Sequence, residues 1–232
     1  MIKPEIKLFI ENNIDYIDDE DFSTLIANLG SSKIYYQYRS LVIDMLLQAG
    51  ITNIFENLNM HELPCVSWGS KLLSELNMSS SSINRISGNA FEKCKNLNTV
   101  VLPANLEFIG SCAFMNTAIE RIYVPACRLH YSVFSGCPAL QRIEFATGFR
   151  TTERSTLRNC SSLETVVFPN TLVGIHPSTF VGCDKLTTIQ FQGTTEEFKK
   201  NKILTKKSTW HLNSSVKYVE CLDNTIDVYT FI

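Results

Sequence analysis

The feature that most constrains this sequence is a pattern that keeps returning: an apolar anchor, then x-x-Cys-x-x-Leu-x-x-Ile/Val-x-Leu/Phe, closed in several copies by Pro. Phe91, Cys94, Leu97, Val100, Leu102 and Pro103 form one copy, and Phe134, Cys137, Leu140, Ile143 and Phe145 repeat it with identical offsets. Leu157, Cys160, Leu163, Val166, Phe168 and Pro169 follow, then Phe180, Cys183, Leu186, Ile189 and Phe191. A degenerate copy lies among them: Phe114, Thr117, Ile119, Ile122, Val124 and Pro125, with Thr in place of Cys and one residue missing. The anchors Phe91, Phe114, Phe134, Leu157 and Phe180 are thus 23, 20, 23 and 23 residues apart. Such a period marks a solenoid, whose coils are each too small to bury an apolar side alone and so must stack.

A second half-signature precedes the anchors: Ile83 and Ile86 before Phe91, Leu106 and Ile109 before Phe114, Leu172 and Ile175 before Phe180. An incomplete first coil, with Leu73, Leu76 and Met78, extends the array toward the N-terminus. Each coil is expected to supply a short strand and an irregular return segment. Alternation along the strand turns Val100 and Leu102 inward and their neighbours outward. The outward set comprises Glu75 and Asn77, Thr99 and Val101, Arg121 and Tyr123, Arg142 and Glu144, Thr165 and Val167, and Thr188 and Gln190. Parallel strands stack about 4.8 Å apart, so these twelve residues are expected to form one contiguous face, the first place to look for a partner.

Seen in tandem, the Phe-x-x-Cys-x-x-Leu-x-x-Val-x-Leu-Pro motif resembles the BspA-type leucine-rich repeat, over residues 65–232. The resemblance implies a short leucine-rich-repeat solenoid of parallel strands in a curved sheet, and a role in protein binding. Cys94, Cys137, Cys160 and Cys183 resemble the Cys or Asn that such repeats bury where the chain turns. They are expected to behave as small buried hydrophobes rather than disulfides. Cys65, Cys112, Cys127 and Cys221 fall off this phase and carry no expectation. The shortened copy at Phe114, and Ala146 where another copy has Pro103, depart from the pattern and are expected to alter curvature locally.

A solenoid leaves an unpaired edge at each end, which native chains cover. Residues 1–62 read as a helical domain. Ile6, Phe9, Ile10 and Ile14 make one apolar face; Phe22, Leu25, Ile26 and Leu29 follow a cap at Asp21 and end at Gly30; Tyr38, Leu41, Val42, Met45 and Leu46 stop at Gly50. The acidic run Asp18–Asp21 reads as a solvated helix start rather than a metal site. Residues 63–192 are the solenoid, and 193–232 read as a turn, a short helix and a strand-turn-strand cap from Val216 to Ile232. The fold class is therefore α+β, a solenoid capped by helices at one end and by a helix and hairpin at the other.

The remaining chemistry is sparse. With 21 basic and 23 acidic residues the chain lacks the positive field of a nucleic-acid binder. Lys199, Lys200, Lys202, Lys206 and Lys207 form the one basic cluster, read as solvated surface. No apolar run is long enough to span a membrane, and the start at Met1-Ile2-Lys3-Pro4 shows no signal-peptide stretch, so a cytoplasmic location is expected. No Cys-x-x-Cys pair or His cluster has zinc spacing, and no catalytic motif occurs, so neither cofactor nor enzymatic activity is expected. Cys127 and His130 could be imagined as nucleophile and base but lack an orienting group. Asn77, Asn159 and Asn213 begin glycosylation sequons that matter only in a secreted chain. The primary expectation is non-enzymatic recognition of a protein partner through the solenoid face. The N-terminal helices also look similar in texture to small phage and mobile-element proteins, which suggests an inhibitor of a bacterial immune protein, for example of CRISPR type. A cell-surface adhesin fragment is the other alternative.

Overall fold

The computed structural model describes residues 4–13, 22–32, 34–203, 209 and 214–229. Ile14, the acidic run with its cap at Asp21, Lys206, Lys207, the sequon at Asn213 and the last residues of the C-terminal strand lie outside the described residues. Three helices come first: α1 (Pro4–Glu11), α2 (Phe22–Ser31) and α3 (Tyr36–Gln48). Phe22, Leu25, Ile26 and Leu29 bury one stripe of α2, as their spacing predicts.

Two details differ from expectation. Gly30 lies inside α2 instead of ending it, because a Cβ there would sit 2.5 Å from the Pro64 Cγ, so the glycine permits a close approach to the first coil. In α3 the buried set is Val42, Ile43 and Leu46, while Leu41 is turned out to 40% exposure. Gly50 does end α3: at φ 86° it lets the Gly50 and Ile51 amides return to the Leu47 and Leu46 carbonyls, a paired C-terminal closure. Asp44 fastens this helix to the solenoid by accepting from the Ser70 hydroxyl and from the Lys71 and Leu72 amides. One continuous apolar core runs from Phe9 through the coils to Val228.

The first four coils carry two strands each, and the coils of the last two long strands carry one. The longer ones are β2 (Glu75–Asn77), β4 (Thr99–Val101), β6 (Arg121–Val124), β8 (Arg142–Phe145), β9 (Thr165–Pro169) and β10 (Thr188–Gln192). β6, β8, β9 and β10 form one parallel sheet and β2 pairs with β4, with Val100, Ile122, Ile143, Val166 and Ile189 buried beneath. The return segments are more regular than expected. A second parallel sheet forms from β1 (Glu62–Leu63), β3 (Arg85–Ile86), β5 (Phe108–Ile109) and β7 (Arg128–Leu129); it contains Ile86 and Ile109 of the half-signatures, whereas Leu172 and Ile175 lie in no strand. The solenoid therefore has two sheeted walls.

The turn between the walls is laddered too. The Phe114 and Asn116 amides donate to the Val133 and Ser135 carbonyls of the next coil, and Phe134 and Gly136 donate in the same way to Thr156 and Arg158. This ladder is accompanied by left-handed backbone just before the cysteine position of the repeat: Lys93, Asn116, Gly136, Asn159 and Gly182 all have φ between 60° and 76°. Asn and Gly alternate there for a steric reason. A Cβ on Gly136 would overlap the Asn116 Oδ1, and one on Gly182 would overlap the Asn159 Oδ1.

The on-phase cysteines are buried and free, as expected, and they also form hydrogen bonds. Each thiol donates to the preceding coil: Cys137 to the Phe114 carbonyl at 3.1 Å, Cys160 to Phe134 at 3.1 Å and Cys183 to Leu157 at 3.0 Å. Burial therefore selects a residue with an apolar body and a weak donor. Thr117, which stands for Cys in the short coil, turns instead to its own Phe114 carbonyl at 3.0 Å. Leu97, Leu140, Leu163 and Leu186 are all fully buried at equivalent positions, two residues before β4, β8, β9 and β10. Phe91, Phe114 and Phe134 stack beside them with ring centroids 5.3 and 5.6 Å apart.

At the C-terminal end, Thr194 and Glu197 form a capping box at the start of α4 (Thr195–Lys200). β11 (Tyr218–Glu220) continues the long sheet in parallel with β10, and β12 (Thr225–Asp227) pairs antiparallel with β11. Asp223, in the turn between them, accepts from the Thr195 amide at 2.7 Å and its hydroxyl at 2.9 Å. Those bonds hold its carboxyl below the usual aspartate range and tie the hairpin to α4.

Candidate protein-interaction face

The outer surface of the long strands is built by register. Arg121 stands opposite Arg142 and Tyr123 opposite Glu144; Arg142 then faces Thr165, and Glu144 faces Val167. Gln190 faces Val167 on one side and Glu220 on the other. Glu75 and Asn77 stand opposite Thr99 and Val101. The sheet holds these side chains at fixed spacing, so a partner meets a surface whose backbone order is already established.

The face is not uniform. The ladder is interrupted between β4 and β6, where the short coil begins. Beside that step lie the most exposed apolar groups of the long strands, Val101 at 44% and Tyr123 at 58%. Arg142 bonds Glu144 on its own strand at 3.0 Å, whereas Arg121 forms no ion pair among the described residues although another arginine stands directly opposite. Like charges in register are unfavourable, and an incoming acidic group would relieve them. Val167 corrects the sequence-based expectation: it is on the outward register but only 3% exposed. It forms part of a shallow cleft of about 230 Å³ with Arg142, Gln190, Glu220 and Leu222, so neighbouring side chains shield it. Thr165 and Thr188 are half-buried, and Glu75, Asn77, Thr99, Arg121 and Gln190 are exposed.

The hairpin adds surface that the repeat pattern had not included. Tyr218 and Glu220 take the register positions after Thr188 and Gln190, and Leu222 projects beyond them at 76% exposure. The alternating Tyr218-Val219-Glu220 segment is the sequence signal for this extension, but its parallel pairing is a tertiary fact.

Burial pushes the Cys127 thiol up to about 12, and His130 is engaged by the Ser111 hydroxyl. A thiol that stays protonated is a poor nucleophile. The Cys65 and Cys221 thiols are likewise raised to about 11 by burial. Among the described residues no cluster of three or more His, Cys, Asp or Glu side chains is placed to hold a metal, and no helix is long and apolar enough to cross a membrane.

Stacked coils of about 23 residues, a parallel sheet on one wall and an inward leucine column together define a leucine-rich-repeat solenoid. More narrowly, the chain belongs to the BspA-type leucine-rich repeat family, whose sequence model matches it in six copies across residues 6–131, 61–169 and 128–208. Among solved structures, it is similar to a leucine-rich repeat protein from Eubacterium ventriosum, at 19% identity and a TM-score of 0.51, covering 73% of this chain and 49% of that one. The pneumococcal vaccine antigen PcpA aligns at 18% identity and a TM-score of 0.49, covering 71% of this chain and 41% of that antigen. A leucine-rich repeat protein from Bacteroides ovatus aligns at 13% identity and a TM-score of 0.38, over 72% of this chain and 65% of that one. This chain therefore spans about half the length, or less, of the first two proteins it resembles. Among curated proteins nothing matches it.

Proposed function

We propose that this chain is a recognition module that binds a protein partner through the outer face of its long strands, with residues 1–62 and 193–232 acting as caps. The observation that carries this reading is the group of Val101, Arg121 and Tyr123. It places two exposed apolar side chains, and an arginine that forms no ion pair among the described residues, on the two strands that flank the break in the ladder. Arg and Tyr, with Trp, are enriched among the energetic anchors of interfaces. Membership of a repeat family built for lateral protein contact supports the same reading and favours recognition over catalysis.

The test is affinity capture with the intact chain, followed by the triple replacement Arg121→Ala, Tyr123→Ala and Arg142→Ala. The variant should melt within about 3 °C of the parent, since surface changes cost little. Its affinity for the captured partner should fall at least tenfold, about 1.4 kcal/mol. Unchanged affinity would move the site off this face. The partner's identity separates the finer readings: one defence component from a bacterial lysate fits an immune-protein inhibitor, whereas surface fractionation of the native protein fits an adhesin.

A further inference from the structure

The short coil leaves a second feature at the rim of the solenoid. In the coils on either side the cysteine is followed by two residues before the leucine, as in Cys94-Lys95-Asn96-Leu97 and Cys137-Pro138-Ala139-Leu140. The intervening coil has only Ala118 between Thr117 and Ile119, and Ile119 is still fully buried. Its chain must cut the corner to reach the core, and a groove of about 610 Å³ opens between the neighbouring turns. Lys93 and Lys95 line it from one coil, Asn116, Thr117 and Ala118 form its middle, and Gly136 and Pro138 close it from the other. No acidic residue lines it.

The two lysines are held differently. Lys93 lies 4.7 Å over the Trp68 ring and 3.3 Å from Glu92, a nearly buried carboxylate that also accepts the Trp68 indole N–H at 3.1 Å. That arrangement fixes the ammonium at the mouth of the groove. Lys95 is exposed and forms no ion pair among the described residues. A groove of this size admits a few side chains of an extended chain. Its lining carries two lysines and no carboxylate, and the charge of Lys95, which has no ion pair among the described residues, favours acidic ones.

We propose that this groove docks an acidic, Asp/Glu-rich segment of a polypeptide partner. The proposal rests on the reading of the array as a protein-recognition module. A nucleic acid is disfavoured because the groove offers no arginine and the chain carries a net charge of -2.

Fluorescence anisotropy with a short fluorescein-labelled Asp/Glu-rich peptide tests the groove on the intact chain, with an oligothymidylate of equal net charge as the competing probe. The peptide should bind, more weakly as ionic strength rises. Lys93→Gln with Lys95→Gln should weaken it about fivefold to tenfold, whereas Lys199→Gln with Lys200→Gln, at the other basic cluster, should change it less than about twofold. Inserting one Asn after Ala118 restores the two-residue spacing between the cysteine and leucine positions of the neighbouring coils, and it should fill the groove and lower affinity to a similar degree. No peptide binding at low ionic strength would overturn the proposal, as would equal weakening by both lysine pairs, tighter binding of the oligothymidylate, or full affinity in a folded insertion variant. If the insertion variant does not fold, the lysine pairs decide alone. The probe is independent of the captured partner, so groove and strand face can fail separately.

Discussion

Replacing Gly136 with alanine tests the coil-to-coil contact that sets the turn wall. Gly136 has φ 69°, and an added Cβ would overlap the Asn116 Oδ1 and lie 3.3 Å from its Cγ. Two penalties follow. A left-handed conformation costs a residue with a Cβ about 1–2 kcal/mol. Displacing the Asn116 side chain in a packed wall adds about 1–2 kcal/mol, the lower part of the range for overpacking. The sum, about 2–4 kcal/mol, should lower the urea midpoint by about 1–2 M, taking a slope of about 2 kcal/mol per M. The informative experiment is a double-mutant cycle with Asn116→Ala, which removes the amide but leaves the backbone penalty in place. In that background Gly136→Ala should cost only about 1–2 kcal/mol, giving a coupling of about 1–2 kcal/mol. Equal cost in both backgrounds, or a cost below about 0.5 kcal/mol in the parent, would refute the claim that Asn and Gly alternate because one overlies the other.

Other outcomes follow from the same contacts. Leu163→Asp buries a carboxylate without a partner in the inward column and should destabilise by at least about 4 kcal/mol, so a parental melting curve would refute the column. Cys160→Ala removes the donor to the Phe134 carbonyl and leaves a small void, costing about 1–3 kcal/mol by urea titration; Cys160→Ser keeps a donor and should recover part of it. Because the Asp223 carboxyl is held below its unfolded value, its contribution is complete at neutral pH and is lost as pH falls below about 4. Amide exchange in β11 and β12 should accelerate over that window, and Asp223→Asn should abolish the pH dependence. A pH-independent parental exchange rate would exclude the link to α4.

Much of this architecture was legible before any coordinates. Leu97, Leu140, Leu163 and Leu186 could be assigned inward because four copies repeat one environment, so each supports the others. The outward register of Arg121, Tyr123, Arg142 and Glu144 followed from strand alternation, which has only two phases. Val167 failed the same rule in exposure, although not in register, because alternation says which way a side chain points and not what neighbouring residues cover it. The second sheet was hidden for another reason. Its strands are two residues long, too short to show a period, and their pairing partners are about one coil away in sequence.

What the sequence alone determined, then, is the repeat, its phase, the residues that form the spine and the coil that is short. Those properties arise within a single coil and are multiplied by recurrence. The tertiary structure alone decided that Asn116 overlies Gly136, that cysteine thiols cap the carbonyls of the preceding coil, and that one missing residue opens a groove between Lys95 and Pro138. These are contacts between neighbouring coils. They depend on how one turn of chain settles on the next, and a linear pattern carries no record of that.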